Sequence, residues 1–321
     1  MAGMEARGNT VWLVVPCYNE EDILSQTKER LEKKLAEFIS KGLASAESRI
    51  LFVDDGSSDS TWKLIEEFHR ESELCCGLSL SRNRGHQNAL LAGMMEAKEN
   101  ADCIISLDAD LQDDIEVMEE FIEKYLDGCD IVYGVRANRE KDSFFKRTTA
   151  QGFYKMMRWL GVEIVYNHAD YRLMSRRALE GLAEFKETNL FLRGIVPMIG
   201  YRSDYVFYER QERTAGKSKY SLGKMLSLAV SGVTSLSVRP LKMIAALGVT
   251  VSLLSVFALL YALLSKLLGY AVAGWTAIVA SIWLIGGIQL FSIGVLGTYI
   301  GRIYNEVKAR PRYIIKETLK K

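Results

Sequence analysis

The chain has 321 residues, 49% hydrophobic and 25% charged, with 41 Lys and Arg against 40 Asp and Glu for a net charge of +1. That length suits one large domain with an addition, or two domains. The near-neutral balance excludes a strongly basic nucleic-acid binder, and the crowding of apolar residues beyond Leu241 excludes an evenly patterned soluble chain.

The first nine residues are polar and hold no apolar run, so no signal peptide is expected. Val11–Val15 is the first predicted strand. It ends at Pro16, with Asn19 placed to cap a helix from Glu20. Ile50–Val53 is the second strand, closed by Asp54-Asp-Gly-Ser-Ser-Asp59, and a helix runs through Trp62 and Phe68. A short strand Leu78–Leu80, a helix Gly85–Ala97, a strand Cys103–Leu107, a helix Ile115–Tyr125 and a strand Asp130–Gly134 continue a βαβ rhythm, which predicts a mostly parallel sheet. Beyond it the rhythm breaks. Phe144–Leu160 reads as a helix, Ser203–Glu209 as an alternating strand and Arg210–Ser221 as a basic loop.

Leu222–Val238 has apolar residues at helical spacing among Ser and Gly. It reads as an interfacial helix, with a plain core helix as the alternative. Leu241–Leu264 holds one charge, Lys242, and Ala271–Ile300 holds none, so each is long enough to cross a bilayer, which takes roughly 20 apolar residues. Arg239 and Lys242 precede the first span and Arg302, Lys308, Arg310 and Arg312 follow the second, against Lys266 alone in the connection. The positive-inside rule then predicts a multi-pass protein of the inner (plasma) membrane, with its globular domain and both termini cytosolic. The expected organisation is a cytosolic domain over 1–221, an interfacial helix over 222–240, two transmembrane helices over 241–301 and a basic tail over 302–321. Cys17, Cys75, Cys76, Cys103 and Cys129 show no metal-ligand spacing and would stay reduced in the cytosol.

Asp108-Ala-Asp-Leu-Gln-Asp-Asp114 directly follows the fourth strand. Asp-x-Asp there sends two carboxylates out of the carboxyl edge of the sheet, where open α/β sheets bind ligands. Such a pair repels unless a cation lies between. A hard divalent ion, Mg²⁺ or Mn²⁺, completed by substrate phosphates meets that need, with Gln112 as a further oxygen donor. The plainer alternative is an acidic loop capping the next helix. Pro16-Cys-Tyr-Asn-Glu20 and Asp54-Asp-Gly-Ser57 end the two neighbouring strands, so Tyr18 is placed to line a base and Asp55 to accept from its N–H edge. No Gly-x-Gly-x-x-Gly and no Walker-type loop follows any strand.

Val-Val-Pro-Cys-Tyr-Asn-Glu-Glu21, Val-Asp-Asp-Gly-Ser-Ser-Asp-Ser-Thr61 and Asp108-Ala-Asp-Leu-Gln-Asp113 together resemble glycosyltransferase family 2, of GT-A fold. Within it the chain resembles polyprenyl-phosphate (bactoprenol) glycosyltransferases and is similar to dolichol-phosphate mannose synthase. Asp170-Tyr-Arg-Leu, Ala215-Gly-Lys-Ser-Lys-Tyr220, the paired C-terminal spans and Arg310-Pro-Arg-Tyr-Ile extend the likeness along the chain. Asp113-Asp114-Ile stands where many members have Asp-Pro-Pro, and Lys217 where Glu is frequent. The Gln-x-x-Arg-Trp of processive synthases is matched only by Lys155-Met-Met-Arg-Trp159, before Asp170 rather than after it, so processive synthesis is not expected.

The resemblance implies a metal-dependent, inverting transfer of a sugar from a nucleotide-sugar, UDP-linked in the bacterial branch, to undecaprenyl phosphate on the cytosolic leaflet. It implies metal ligands Asp108, Asp110 and Gln112, catalytic roles for Asp110 and Asp170, and donor contacts from Pro16, Tyr18, Glu20, Asp55 and Asp108. Arg136, Arg147, Arg213 and Lys219 are the cations expected to meet the phosphates. Asp170 is expected to orient the acceptor or take a residual proton, its alternative being a cap on the helix at Ser175–Leu182. His69, His86 and His168 read as structural. A hydroxyl acceptor such as diacylglycerol, or an inactive nucleotide- or lipid-binding partner, are the rival readings. Gly286-Gly287, Gly294, Gly297 and Gly301 permit close helix packing, and relatives form tetramers, so a homo-oligomer is expected.

Overall fold

The computed structural model describes residues 8–110, 112–137, 168–188, 191–209, 239–268 and 274–320. The expected helices at 144–160 and 222–238 and the loop at 210–221, with Arg147, Arg213 and Lys219, lie outside the described residues. The chain divides into two compact units, one of Met1–Tyr154, Glu163–Tyr220 and Arg310–Lys321, the other of Lys155–Val162 and Ser221–Ala309.

The first unit is built on a mixed, mostly parallel sheet flanked by helices, as the βαβ rhythm predicts. Its strands are β1 (Val11–Cys17), β2 (Arg49–Asp54), β3 (Cys75–Leu80), β4 (Cys103–Ser106), β5 (Ile131–Arg136), β6 (His168–Ser175), β7 (Ser203–Tyr208) and β8 (Ile315–Leu319), in the order β7-β5-β6-β4-β1-β2-β3-β8. β1 pairs parallel with β2 and β4, and β2 with β3. β1 is buried along its whole length because helices cover both faces, which is why it reads as an unbroken apolar run rather than an alternation.

Alternate residues feed two cores. Leu13, Val15, Phe52 and Ile105 join Leu31, Phe38, Phe68 and Phe121 from α1 (Leu24–Ser40), α2 (Thr61–Glu71) and α4 (Met118–Leu126). Val14, Leu51, Val53 and Ile104 join Leu90, Met94, Leu179 and Ile195 from α3 (His86–Lys98), α5 (Arg176–Ala183) and α6 (Leu192–Met198). α3 lies flat on the sheet at Gly93, where a Cβ would come within 2.5 Å of Val14 Cγ1 and 2.6 Å of Val53 Cγ2.

Three features differ from the sequence reading. α1 begins at Leu24 without a side-chain cap, rather than at Glu20. Asn19 instead takes a left-handed conformation, φ 52°, which asparagine tolerates, and its Oδ1 accepts from the Ser58 backbone N–H at 2.9 Å. Asp170 lies on strand β6, and the cap of α5 is Ser175, whose hydroxyl accepts from Ala178 N–H at 3.0 Å. The stretch 302–321 is not one basic tail: the preceding helix runs to Val307, and Ile315–Leu319 adds β8 antiparallel to β3.

The second unit contains α7 (Arg239–Leu267), which includes the residues of the first expected span, and α8 (Trp275–Val307), which holds those of the second from Trp275 on. Among the described residues one helix segment, Leu284–Val307, is long and apolar enough to cross a membrane by length and composition.

Candidate active site

The carboxyl ends of β1, β2, β3 and β4 meet at one edge, and backbone geometry brings Asp108 and Asp170 together there. β4 and β6 are antiparallel, with Ser106 paired to Arg172. Continuing that register past the end of β4 sets Asp108 across from Asp170, and the Ser106 hydroxyl donates to the Asp170 carbonyl at 2.6 Å. The Asp108-Ala-Asp110 turn is pinned from α1, where Thr27 Oγ1 donates to Ala109 O at 2.7 Å. Asp108 and Asp110 are both part-exposed, so they can receive a ligand. The Gln112 backbone N–H donates to Asp110 Oδ1 at 3.3 Å, and the Gln112 side chain is buried.

Asp170 is the centre of a charge cluster. Its Oδ1 accepts from Arg172 Nη2 at 2.6 Å, its Oδ2 accepts from Arg193 Nη2 at 3.1 Å, and His86 Nε2 stands 3.6 Å from Oδ2. Burial alone would raise this carboxyl, but the Arg193 charge, the His86 donor and the Arg172 charge outweigh it and hold Asp170 well below the usual carboxylate range. A carboxylate so held is a weak proton acceptor at neutral pH. His86 Nε2 also stands 3.5 Å from Asp108 Oδ1. Burial works against its charged form, yet the two carboxylates prevail and its pKa lies above the ordinary value. Asp108 is pushed up by burial and by the nearby charges of Asp113, Asp170 and Asp110, against the pull of His86.

That electrostatic crowding is the feature a divalent cation relieves. Among the described residues no three His, Cys, Asp or Glu side chains form a ready-made metal cluster. The donor set still fits Mg²⁺ or Mn²⁺, which such sites hold through one or two carboxylates, with water and phosphate oxygens filling the other positions.

The neighbouring strand ends are braced by their own backbone. The Asp55 oxygens accept from Arg84 N–H at 2.7 Å and Gly85 N–H at 2.8 Å, so this residue clamps the loop after β3. Asp54 accepts from Ser57 N–H and the Ser79 hydroxyl, each at 3.0 Å. Pro16 is buried in β1, the Glu20 backbone N–H donates to Thr61 Oγ1 at 3.0 Å, and Tyr18 projects 45% exposed beside them. Arg136 at the end of β5 donates from Nη2 to Asp113 Oδ1 at 3.2 Å and from Nε to Tyr208 Oη at 3.3 Å. Asp114 caps a 3₁₀ turn at Ile115–Val117. Asp113 and Asp114 are thus taken by internal partners, while Asp108 and Asp110 stay part-exposed.

Sequence reasoning missed His86, Arg172 and Arg193. His86 had a signal: it follows a Gly at the first position of a helix after a strand, on the ligand edge. Arg172 had one too, two residues from Asp170 and so on the same face of a strand. Arg193 had none, since only the fold carries α6 to the edge. His69 is structural as expected, its Nδ1 2.8 Å from Cys75 O.

Gly56 joins two of these turns. Its φ is 66°, and an added Cβ would fall 2.6 Å from the Arg82 carbonyl carbon. Gly56→Ala is expected to cost about 1–3 kcal/mol of stability, through the strained backbone and the displaced Arg82–Gly85 loop. Urea unfolding measures it.

The chain matches the family described as Glycosyl transferase family 2 over residues 12–182. It is 53% identical over 303 residues to the protein named Uncharacterized glycosyltransferase YkoT of Bacillus subtilis (strain 168), covering 94% of this chain and 90% of that one. It is 41% identical over 308 residues to the SfII prophage-derived bactoprenol glucosyl transferase of Shigella flexneri, covering 95% and 97%. Among solved structures it is similar to the mannosyltransferase PcManGT from Pyrobaculum calidifontis in complex with GDP-Man and Mn²⁺, at 15% identity and a TM-score of 0.48, over 94% of this chain and 86% of that one.

Proposed function

The chain belongs to glycosyl transferase family 2 and is a glycosyltransferase, and from that premise we propose that it moves a sugar from a nucleotide-sugar, UDP-linked, to undecaprenyl phosphate at the cytosolic face of the membrane. The observation that carries the reading is the near full-length likeness to a bactoprenol glucosyl transferase. The carboxylate edge and the apolar segment Leu284–Val307 are of the kind that reaction needs.

In this mechanism Tyr18 covers the base, and the loop clamped by Asp55 fixes the floor beneath it. Asp108 and Asp110 would hold Mg²⁺ or Mn²⁺, and the ion would supply Lewis-acid neutralisation of a departing diphosphate. The acceptor phosphate, with a second pKa near 6, is largely ionised at neutral pH and attacks without a strong base. That matches Asp170, whose oxygens are engaged by Arg172, Arg193 and His86. Its role is to fix those cations beside the reacting phosphates. Arg193 and His86 join Arg136, Arg147, Arg213 and Lys219 as the positive groups that let an anionic acceptor approach an anionic donor. A single displacement with inversion follows: among the described residues the carboxylates at this edge are engaged by His86, Arg172 and Arg193 or placed for the cation, which leaves none free to act as a covalent nucleophile. Apolar helices α7 and α8 hold the enzyme where the lipid phosphate resides, as a multi-pass membrane protein, and the small-residue faces of α8 serve a homo-oligomer.

The test is transfer of labelled sugar from a panel of UDP- and GDP-sugars, by the full-length protein in vesicles, to undecaprenyl phosphate or diacylglycerol. Label is expected in the phosphate lipid alone. Label in diacylglycerol alone would overturn the acceptor assignment.

A further inference from the structure

The chain returns to the catalytic unit after its last apolar helix, and it does so at the ligand edge. β8 runs antiparallel to β3 with Ile315 beside Leu80 and Leu319 beside Gly77. The incoming residues Arg312–Ile314 therefore lie at the carboxyl end of β3, not at its amino end. Ile314 O accepts from the Ser81 N–H at 2.9 Å, Arg312 Nη2 donates to Phe185 O, and Tyr313 and Phe185 both pack against the core beneath α3 and α5. Lys320 pairs with Glu96 at the far end of α3.

Ser81 opens the short loop whose later members build the site. Arg84 and Gly85 give their N–H groups to Asp55, and His86 faces Asp108 and Asp170. The end of α5 that Arg312 grips leads on toward α6, where Leu192 N–H donates to Gln87 Oε1 at 3.1 Å and Arg193 pairs with Asp170. One segment thus holds both Ser81, at the start of the loop that delivers His86, and Phe185, just past α5. Without it β3 is the last strand on that side of the sheet, and among the described residues no other strand holds Ser81.

We propose that Arg312–Leu319 is a positioning segment for the donor side of the active site, fixing the Ser81–His86 loop so that nucleotide binding depends on residues beyond the apolar helices. This rests on the nucleotide-sugar reading above, but its test does not require sugar transfer.

Full-length protein in detergent is compared as wild type, as Arg312→Ala with Tyr313→Ala, as Arg312→Lys, as Lys320→Ala and as a chain stopped after Ala309. Two quantities are read: amide exchange by mass spectrometry, and affinity for UDP and GDP. For the double variant, exchange at Arg84 and Gly85 is expected to quicken about tenfold while β1 and β4 stay protected. Nucleotide affinity is expected to fall about fivefold or more in step with it. Arg312→Lys, which keeps a donor for Phe185 O, restores both, and Lys320→Ala leaves both within about twofold. Should the shortened chain fail to fold, the double variant decides. Unchanged exchange at Arg84 and Gly85 would overturn the proposal. So would protection lost equally from β1 and β4, which would make the segment a plain edge of the fold.

Discussion

Asp170→Asn is expected to lower the stability of the catalytic unit by about 3 kcal/mol, because it removes the counter-charge of a buried arginine. Arg172 is fully buried, and its described partner among side chains is Asp170, at 2.6 Å. Among the described residues Nε and Nη1 of Arg172 have no hydrogen-bond partner, so an asparagine at 170, whose oxygen can still accept from Nη2, leaves the buried guanidinium without a counter-charge. The effect carries a pH signature. The folded carboxyl lies well below its ordinary value of 3.8, so in the wild type its contribution is complete above that value and is lost as pH falls through the folded pKa. Urea midpoints from pH 7 down to pH 3 should show the wild type weakening below about pH 4 and Asp170→Asn, already weakened, changing much less there. A variant as stable as wild type at pH 7 would mean that the pairing carries no stability.

Asp110→Asn is expected to cut sugar transfer at least about a hundredfold while leaving thermal unfolding unchanged, since residues one shell further out already cost 10- to 100-fold at metal sites. Asp110 is part-exposed, and the bond its side chain accepts from the Gln112 N–H is available to an asparagine oxygen as well. What the substitution removes is charge. A hard cation held by two carboxylates loses one, and Asp108 is left shared with His86. Excess Mn²⁺ should recover part of the activity. Full activity of the variant, or of wild type in EDTA, would remove the metal from the account.

The parallel half of the fold was legible because its strands are buried on both faces and its turns carry Asp, Gly and Ser at strand ends. Val11–Val15 and Ile50–Val53 read as strands, and β1 and β2 contain them, extending to Cys17 and to Arg49 and Asp54. β6 was missed because Asp170-Tyr-Arg-Leu alternates charged with apolar residues. Its charged members are buried by pairing with each other, a compensation that periodicity does not register. β8 was missed because Ile315-Lys-Glu-Thr-Leu is a short, polar edge strand that pairs across the whole chain. The place of Asp108 and Asp110 at the carboxyl edge of the sheet was legible from spacing. The cations around Asp170 were less so, since His86, Arg172 and Arg193 come from three elements that meet only through the register of β4 with β6 and the docking of α6.

The chemical linkage in the product tests the central claim most directly. After incubation of the full-length protein with undecaprenyl phosphate, labelled nucleotide-sugar and Mn²⁺ or Mg²⁺, the account predicts a sugar joined to phosphorus. The ³¹P resonance of the lipid should move from monoester to diester, and mild acid should release the label. Label in an acid-stable glycoside of a lipid hydroxyl, with the phosphate resonance unmoved, would contradict it.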